Sequence, residues 1–430
     1  MDSSDPRWRL DSWGNDVGPS TRVAVLAIAV AVVAGAASDV DRLHSIAVGN
    51  GGFSHSRKAD RAVNPASVVK VGTSLWALDR LRAGHRYRTV FGFIGTWDRG
   101  TGVLDGDLVV RGGADPDFQW ENAYLIAREL NRMGLHRVEG RVRVQGDFWF
   151  GWEHGVETRV LDPRQRGERM GRRLISALDP ARWDRSHENT WLAMCQRRGW
   201  DSSERPLVEV TGGVRVSDLG EVVPLLVHLS NPLADILRRF NVYSNNDIVR
   251  IADGLGDMGE FEAYVAARLG LEAGQIELAT ASGERRNRMS VRQMTALLIE
   301  LRNEAAEQGL ELHELLPVIG CDPGATRRMF PSLAASPLTG TVICKTGTLT
   351  NTDGGVAVLA GTFTSPDGEA VTFAIAAPGA GGRLQYWRQL QQRWVMSLIE
   401  EHGGAVPVPC GKPLPFSDTF AEVKRVLSGG

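Results

Sequence analysis

A chain of 430 residues with 43% hydrophobic and 23% charged residues is too long for one small core, and two or three domains are expected. Its formal net charge of -2 supplies no unbalanced excess of Lys and Arg, which excludes nucleic acid as an expected partner. In chain order, residues 1–38 read first as a signal peptide or N-terminal anchor. Arg22 precedes a small-apolar run over 23–37 that closes on Ala34-Gly35-Ala36-Ala37-Ser38. The run is shorter than the ~20 residues a helix needs to cross a bilayer, which favours cleavage. An exported, periplasmic or otherwise extracytoplasmic protein follows, with membrane association only through this segment. The alternative is a buried or anchoring helix.

Residues 45–48 predict a short strand, followed by the turn Gly49-Asn50-Gly51-Gly52 and a polar loop to Asn64. A helix begins at Pro65, where proline suits the first turn, and Val68, Val71, Leu75, Leu78 and Leu81 place one apolar stripe along it until Gly84. Over 86–110 the pattern changes to short strands, with turns at Asp98-Arg99-Gly100 and Asp105-Gly106, and then a Gly-rich loop over 111–116. Ala123, Ile126, Ala127, Leu130 and Met133 mark a second amphipathic helix ending at Gly134, before an alternating strand over 138–144. The span 153–205, dense in Arg and Trp, reads as loops and short helices. Helical spacing is read over 219–240, helices and loops follow, and strands are expected at 340–345, 354–364 and 371–376. A last helix over 385–401 precedes a Pro-rich tail. No internal repeat or low-complexity tract is present.

Three short motifs carry chemistry. Ser67-Val68-Val69-Lys70 opens the first helix, and a spacing of three puts hydroxyl and amine on one face, a turn apart. A serine needs a base to become a nucleophile, and an amine can be that base when desolvation or a neighbouring cation lowers its pKa. Taken singly, the motif also describes a helix-capping serine beside a solvated lysine. Ser244-Asn245-Asn246 falls in a loop between helices. Ser244 could relay a proton from Lys70 to a leaving amine, and the Asn246 amide could both donate to and accept from a peptide-like substrate; in isolation the same residues make a turn or N-cap. Lys345-Thr346-Gly347-Thr348 ends a strand with an edge position. Lys345 and Thr346 could bind a terminal carboxylate, and Gly347 would leave room for close approach of substrate, although a strand end with a solvated lysine fits these residues equally.

Conjunction and order decide between these readings. Ser-x-x-Lys, Ser-x-Asn and Lys-Thr-Gly occur in the sequence expected of acyl-serine transferases. With Asn64-Pro65-Ala66, residues 108–116, Val138-Glu139-Gly140, Ser230-Asn231-Pro232-Leu233, Ser282-Gly283 with Asn287-Arg288-Met289-Ser290, and Leu315-Leu316-Pro317-Val318, the chain resembles the penicillin-recognising enzymes. The resemblance is nearest to the low-molecular-mass class C D-alanyl-D-alanine carboxypeptidase/endopeptidase group and spans most of 40–400. It implies an α+β fold like that of serine β-lactamases and DD-peptidases: an antiparallel sheet covered by helices, an all-helical lobe, and a β-rich inserted domain. It also implies that Ser67 is acylated, that Lys70 is the base, that Ser244 and Asn246 line the opposite wall, that Lys345, Thr346 and Gly347 bind substrate, and that Thr348 and Ser67 supply the oxyanion-hole N–H groups. Peptidoglycan stem peptides and β-lactam antibiotics are the implied partners, with no metal or cofactor.

The expected partition is a discontinuous catalytic domain of 39–85 plus 215–405, an inserted domain of 86–214, and a tail of 406–430. The long interval between Ser67 and Ser244 favours a DD-peptidase with extra domains over a β-lactamase. Two segments depart from the family pattern. Cys321-Asp322-Pro323-Gly324-Ala325-Thr326 interrupts an Asp-Gly-Thr run, and Ser282-Gly283-Glu284 lacks the Leu-Ser continuation. The competing functions are a β-lactamase or esterase on the same scaffold and a non-catalytic wall-binding relative. Cys195, Cys321, Cys344 and Cys410 show no metal-binding spacing; free buried thiols are expected, and export would permit pairing without fixing which.

Overall fold

The computed structural model describes residues 39–49, 54–153, 155, 159–160, 162–218, 220–324, 326–410 and 413–426. The expected signal segment and the Asn50-Gly51-Gly52 turn lie outside them. No helix among the described residues is long and apolar enough to cross a membrane. Residues 39–43 fall in one unit and the chain from His44 onward in another, which holds all the elements below.

The chain enters through β1 (His44–Gly49), β2 (Ser54–Arg57) and β3 (Ala62–Val63), then a 3-10 turn, Ala66–Val68, and the helix Val69–Leu81. Next come β4 (Arg88–Asp98), β5 (Val103–Gly113), the helix Trp120–Arg132, β6 (Arg137–Val138) and β7 (Val142–Asp147). The helices Pro163–Leu178 and Arg185–Arg198 lead to β8 (Glu209–Val210), β9 (Val214–Val216) and β10 (Val223–Leu229). Helices Leu233–Val242, Val249–Asp253 and Met258–Arg268 precede β11 (Met289–Ser290) and the helix Val291–Glu307. After β12 (Ile343–Leu349), β13 (Val356–Thr364) and β14 (Ala370–Pro378), the helix Leu384–Glu401 leads to β15 (Glu422–Arg425).

Two large sheets result. The first has the order β12-β13-β14-β1-β2, antiparallel throughout, with β12 at its edge, and the helices Val291–Glu307 and Leu384–Glu401 pack on it. The second runs β15-β10-β4-β5-β6-β8, with β7 paired to β5 and β9 to β7. Each sheet has its own core. One gathers Val71, Leu75, Leu78, Phe240, Phe261 and Leu297; the other gathers Phe91, Phe118, Tyr124, Met170, Leu174 and Trp191. Burying such side chains contributes about 1.5–3 kcal/mol each, which is why both sheets hold their faces against helices.

The helix Val69–Leu81 is not the one-sided element its stripe predicts. Every residue from Val69 to Leu78 is buried, because other helices surround it. Its polar members are satisfied inside: the Thr73 hydroxyl donates to Ala281 O at 2.6 Å, and the Ser74 hydroxyl donates to Lys70 O at 2.8 Å while accepting from Asn241 Nδ2 at 2.9 Å.

Several local expectations need correction. The span 153–205 contains two full helices. Asp162 caps the first, accepting from Gln165 N at 2.7 Å ahead of Pro163, and Gly167 and Gly171 let it settle on Val216 and Val214. Part of the Arg and Trp density there is stacking: Arg198 lies over the Trp200 ring and Arg205 over Trp183, while Arg159 and Arg166 lie over Trp149, just before the span. The stretch 219–240 is not one helix. It divides into β10 and the helix Leu233–Val242, broken at Pro232, and the β10 ladder shifts register just after Pro224, which has no N–H to give. Asp105-Gly106 is no turn but lies within β5, with Gly106 opposite Gly95 in β4. The polar segment before Asn64 contains β2. The lysine of the third motif sits inside β12 rather than at a strand end. The second sheet also draws β10 and β15 from beyond residue 214, β15 from the tail.

Two of the four cysteines are not free. Cys321 and Cys410 form a disulfide across a sequence separation of 89, while Cys195 and Cys344 are buried thiols. The bond ties the tail to the loop in which Asp322 accepts from Val318 N and pairs with Arg238. By the chain-entropy argument a loop of this size is worth about 4–5 kcal/mol. Cys410→Ser should therefore lower the unfolding free energy in denaturant titration by that amount, and reduction of the native protein should reproduce the shift.

Candidate active site

The first motif is held by a strained turn. Ala66 has φ +46, in the left-handed region, and the Asn64 side chain accepts from Ala66 N at 3.0 Å while donating to Arg285 O at 2.9 Å and to Asp353 Oδ2 at 3.2 Å. Ser67 follows in the 3-10 turn, half-buried, and Lys70 stands one turn on with no exposure. The Lys70 amine is within hydrogen-bond distance of Ser67 Oγ at 2.8 Å, Asn246 Oδ1 at 2.8 Å and Ser282 O at 2.5 Å. Burial holds its pKa well below the ordinary lysine value, the Lys345 cation adds to that, and Glu284 opposes it.

The second motif occupies the turn between the helices Leu233–Val242 and Val249–Asp253. Ser244 has φ +50, and the turn is fixed by Ser244 N donating to Asn241 O and Asn245 N donating to Phe240 O. Asp247 then acts as a clamp, its carboxylate accepting from Glu153 N at 2.7 Å and Gly155 N at 3.1 Å. Arg250, almost wholly buried, reinforces the joint by donating to Pro116 O, Gly151 O and Glu153 Oε2. Gly151, Glu153 and Gly155, far off in sequence, are thereby fastened to the wall of the groove.

The third motif lies on the sheet edge. The buried Lys345 amine donates to Ser244 Oγ at 2.8 Å and to Thr346 O at 3.1 Å, and burial lowers its pKa to about 8. The neighbouring Cys344 thiol is pushed up to about 12 and stays neutral. Gly347 does serve close approach, but of the protein's own backbone: a Cβ there would lie 2.5 Å from Pro65 O and 3.1 Å from Ala66 Cβ. That contact seats β12 beside the nucleophile turn. The Thr348 hydroxyl accepts from Arg388 Nη2 at 3.0 Å.

The residues singled out from the sequence thus fall into two linked sets, Ser67 with Lys70 and Asn246, and Ser244 with Lys345, joined through the turn 244–246. Thr346, Gly347 and Thr348 continue along the same strand. Sequence reasoning gave no role to Asp247, Gly155, Glu284 or Arg388. Asp247, directly after the motif in a turn, and Glu284, named only as a departure from the family pattern, left a local signal.

A profile of the D-Ala-D-Ala carboxypeptidase 3 (S13) family matches residues 46–157 and 208–393, which include all three motifs. The chain belongs to the S13 family. The two helices of 163–198 fall in the gap between the matched segments. Among relatives, the D-alanyl-D-alanine carboxypeptidase DacB of Haemophilus influenzae is 31% identical over 183 residues, 39% of this chain and 36% of that protein. The match therefore spans little more than a third of this relative's length. Of solved structures, Bd3459, a predatory peptidoglycan endopeptidase from Bdellovibrio bacteriovorus, superposes with a TM-score of 0.73 at 21% identity, over 89% of this chain and 98% of that one. Its penicillin G-acylated form is similar to this chain to the same degree of identity, with a TM-score of 0.71 over 89% of this chain and 99% of that one. Penicillin binding protein 4 of Haemophilus influenzae gives 0.57 at 20% identity, over 82% and 96%. This S13 member shares their fold.

Because Gly347 lies against Pro65 O, a side chain there must push the strand off the nucleophile turn. Gly347→Ala is expected to cost about 1–3 kcal/mol of stability by overpacking, read from the midpoint of denaturant unfolding at unchanged m-value.

Proposed function

We propose that this protein is a serine-type D-Ala-D-Ala carboxypeptidase/endopeptidase that cleaves peptidoglycan stem peptides through an acyl-enzyme at Ser67 and is inhibited by penicillin. The observation that carries the reading is the 2.8 Å contact of a buried, proton-poor Lys70 amine with the Ser67 hydroxyl, in the groove that also holds the Lys345 and Ser244 pair. S13 membership and the acylated state of Bd3459 support it.

In this mechanism neutral Lys70 takes the Ser67 proton as the oxygen attacks the penultimate D-alanine carbonyl, a role worth about 10²- to 10⁴-fold in rate. The Ser67 and Thr348 N–H groups hold the developing oxyanion, for several kcal/mol. The proton moves from Lys70 by way of Ser244 to the leaving D-alanine nitrogen, and water then releases the acyl group. Lys345, as a cation, and Thr346 receive the substrate's terminal carboxylate, while the Asn246 amide holds the peptide. Penicillin, an acylating agent that carries a carboxylate, fits the same contacts. The acyl-transfer chemistry is assigned to residues 39–85 and 215–405 and the inserted role to 86–214, whose sheet β10 and β15 complete. Since peptidoglycan lies outside the cytoplasm, the reading also carries export through residues 1–38, with 23–37 as apolar core.

Two outcomes check this. Ser67→Ala should take up no fluorescent penicillin and release D-alanine from muropeptides only at background, and unchanged release would overturn the assignment. The pH dependence has a defined sign: Lys345 holds carboxylate only while charged, so acylation by penicillin should fall as pH rises through about 8. Lys345→Arg, which cannot lose its proton in this range, should abolish that fall.

A further inference from the structure

One departure from the family pattern remains unused by the mechanism above: Glu284, which follows Ser282-Gly283. The loop 280–287 is tightly built, with the Asn287 side chain donating to Glu284 O at 2.8 Å and accepting from Ala279 N at 2.8 Å, and the Thr280 hydroxyl donating to Glu284 O at 2.8 Å. It presses on the nucleophile turn. A Cβ on Gly283 would lie 1.9 Å from Ala66 O and 2.8 Å from Ser67 N, so these backbones touch. One residue earlier, Ser282 O accepts from Lys70 Nζ.

The Glu284 carboxylate is held in turn at the edge of this contact. Its Oε2 accepts from Ser282 Oγ at 2.8 Å. The missing side chain of Gly155 makes its place: a Cβ there would meet the two Glu284 oxygens at 2.5 and 2.6 Å and Asn246 Cβ at 2.8 Å. Gly155 is fixed by Asp247, so the carboxylate lies next to Asn246, whose side-chain oxygen accepts from Lys70. Ser67 and Lys70, Asn246, and Glu284 therefore border one small volume from three separate chain segments.

Hydrolysis of an acyl-enzyme needs a proton acceptor that a water in that volume can reach. Lys70 Nζ already faces Ser67 Oγ, Asn246 Oδ1 and Ser282 O, which leaves a water little room on the amine. We infer that Glu284 is a further catalytic residue, whose carboxylate holds and deprotonates the water that hydrolyses the Ser67 ester. The inference rests on the acyl-enzyme reading above. The water oxygen bonds to the acyl carbon as its proton passes to the Glu284 carboxylate. The bond from that carbon to Ser67 Oγ then breaks, and the proton reaches the freed oxygen by way of Lys70, so carboxylate and amine end as they began.

The test is kinetic, on the full chain. Glu284→Gln keeps an oxygen to accept from Ser282 and removes the base. With benzylpenicillin, followed by intact-protein mass, the adduct should form on this variant at the rate of the unsubstituted protein and decay about 10²-fold more slowly. With a D-Ala-D-Ala peptide, kcat and KM should fall together while kcat/KM holds, because acylation is spared. Glu284→Asp should recover part of the decay rate. Decay of the Gln variant's adduct at the unsubstituted rate would overturn the inference, as would a loss of acylation equal to that of deacylation. If the unsubstituted protein forms no adduct at all, the acyl-enzyme reading fails and takes this one with it.

Discussion

The site depends on two lysine amines being withdrawn from water into one groove. An ammonium ion loses its hydration on burial, and two of them in proximity add mutual repulsion, so the pair is tolerable only where carbonyl, amide and hydroxyl oxygens replace the lost solvent. The protein supplies these from dispersed segments: Ser67, Asn246 and Ser282 O around Lys70, and Ser244 and Thr346 O around Lys345. The same unfavourable environment lowers both pKa values, which makes one amine give up its proton far more readily than an ordinary lysine and leaves the other near its point of discharge. Stability is given up locally for reactivity, and the fully buried helix Val69–Leu81, with the antiparallel sheet beside it, supplies the rigid surroundings that make this affordable.

The three motifs were legible because each is short-range. A spacing of three on a helix, a polar turn and a strand with glycine can be recognised without knowing what lies across from them, and the antiparallel sheet with its covering helices follows from the family they resemble. What could not be read is what the partners across the groove do. Gly347 is explained by Pro65, nearly three hundred positions away, and Gly155 by Glu284 and Asn246. Glycine in a sequence marks freedom but does not name the neighbour that requires it.

The misread secondary structure has equally physical causes. Over 153–205 the arginines obscured a sound helical period, Met170, Leu174 and Leu178, since a long side chain laid over a tryptophan counts as polar in the sequence and as cover in the fold. Over 219–240 a strand rich in Leu and Val joined a true helix without a change of hydrophobicity, and only Pro232 marked the junction. Periodicity alone cannot separate a short buried strand from a helix start.

The strand order has a consequence for how the protein comes into being. β12 reaches the far side of its sheet only through β13, β14 and β1, and β1 opens the folded unit while β14 lies close to the last helix. The other sheet likewise receives β15, from the tail, against β10. A chain emerging from its N-terminus can therefore complete neither sheet until nearly all of it has been made. Until then Ser67, in the early 3-10 turn, and Lys345, on a strand made about 280 residues later, belong to separate stretches of chain, and a nascent polypeptide has no groove in which to bring them together.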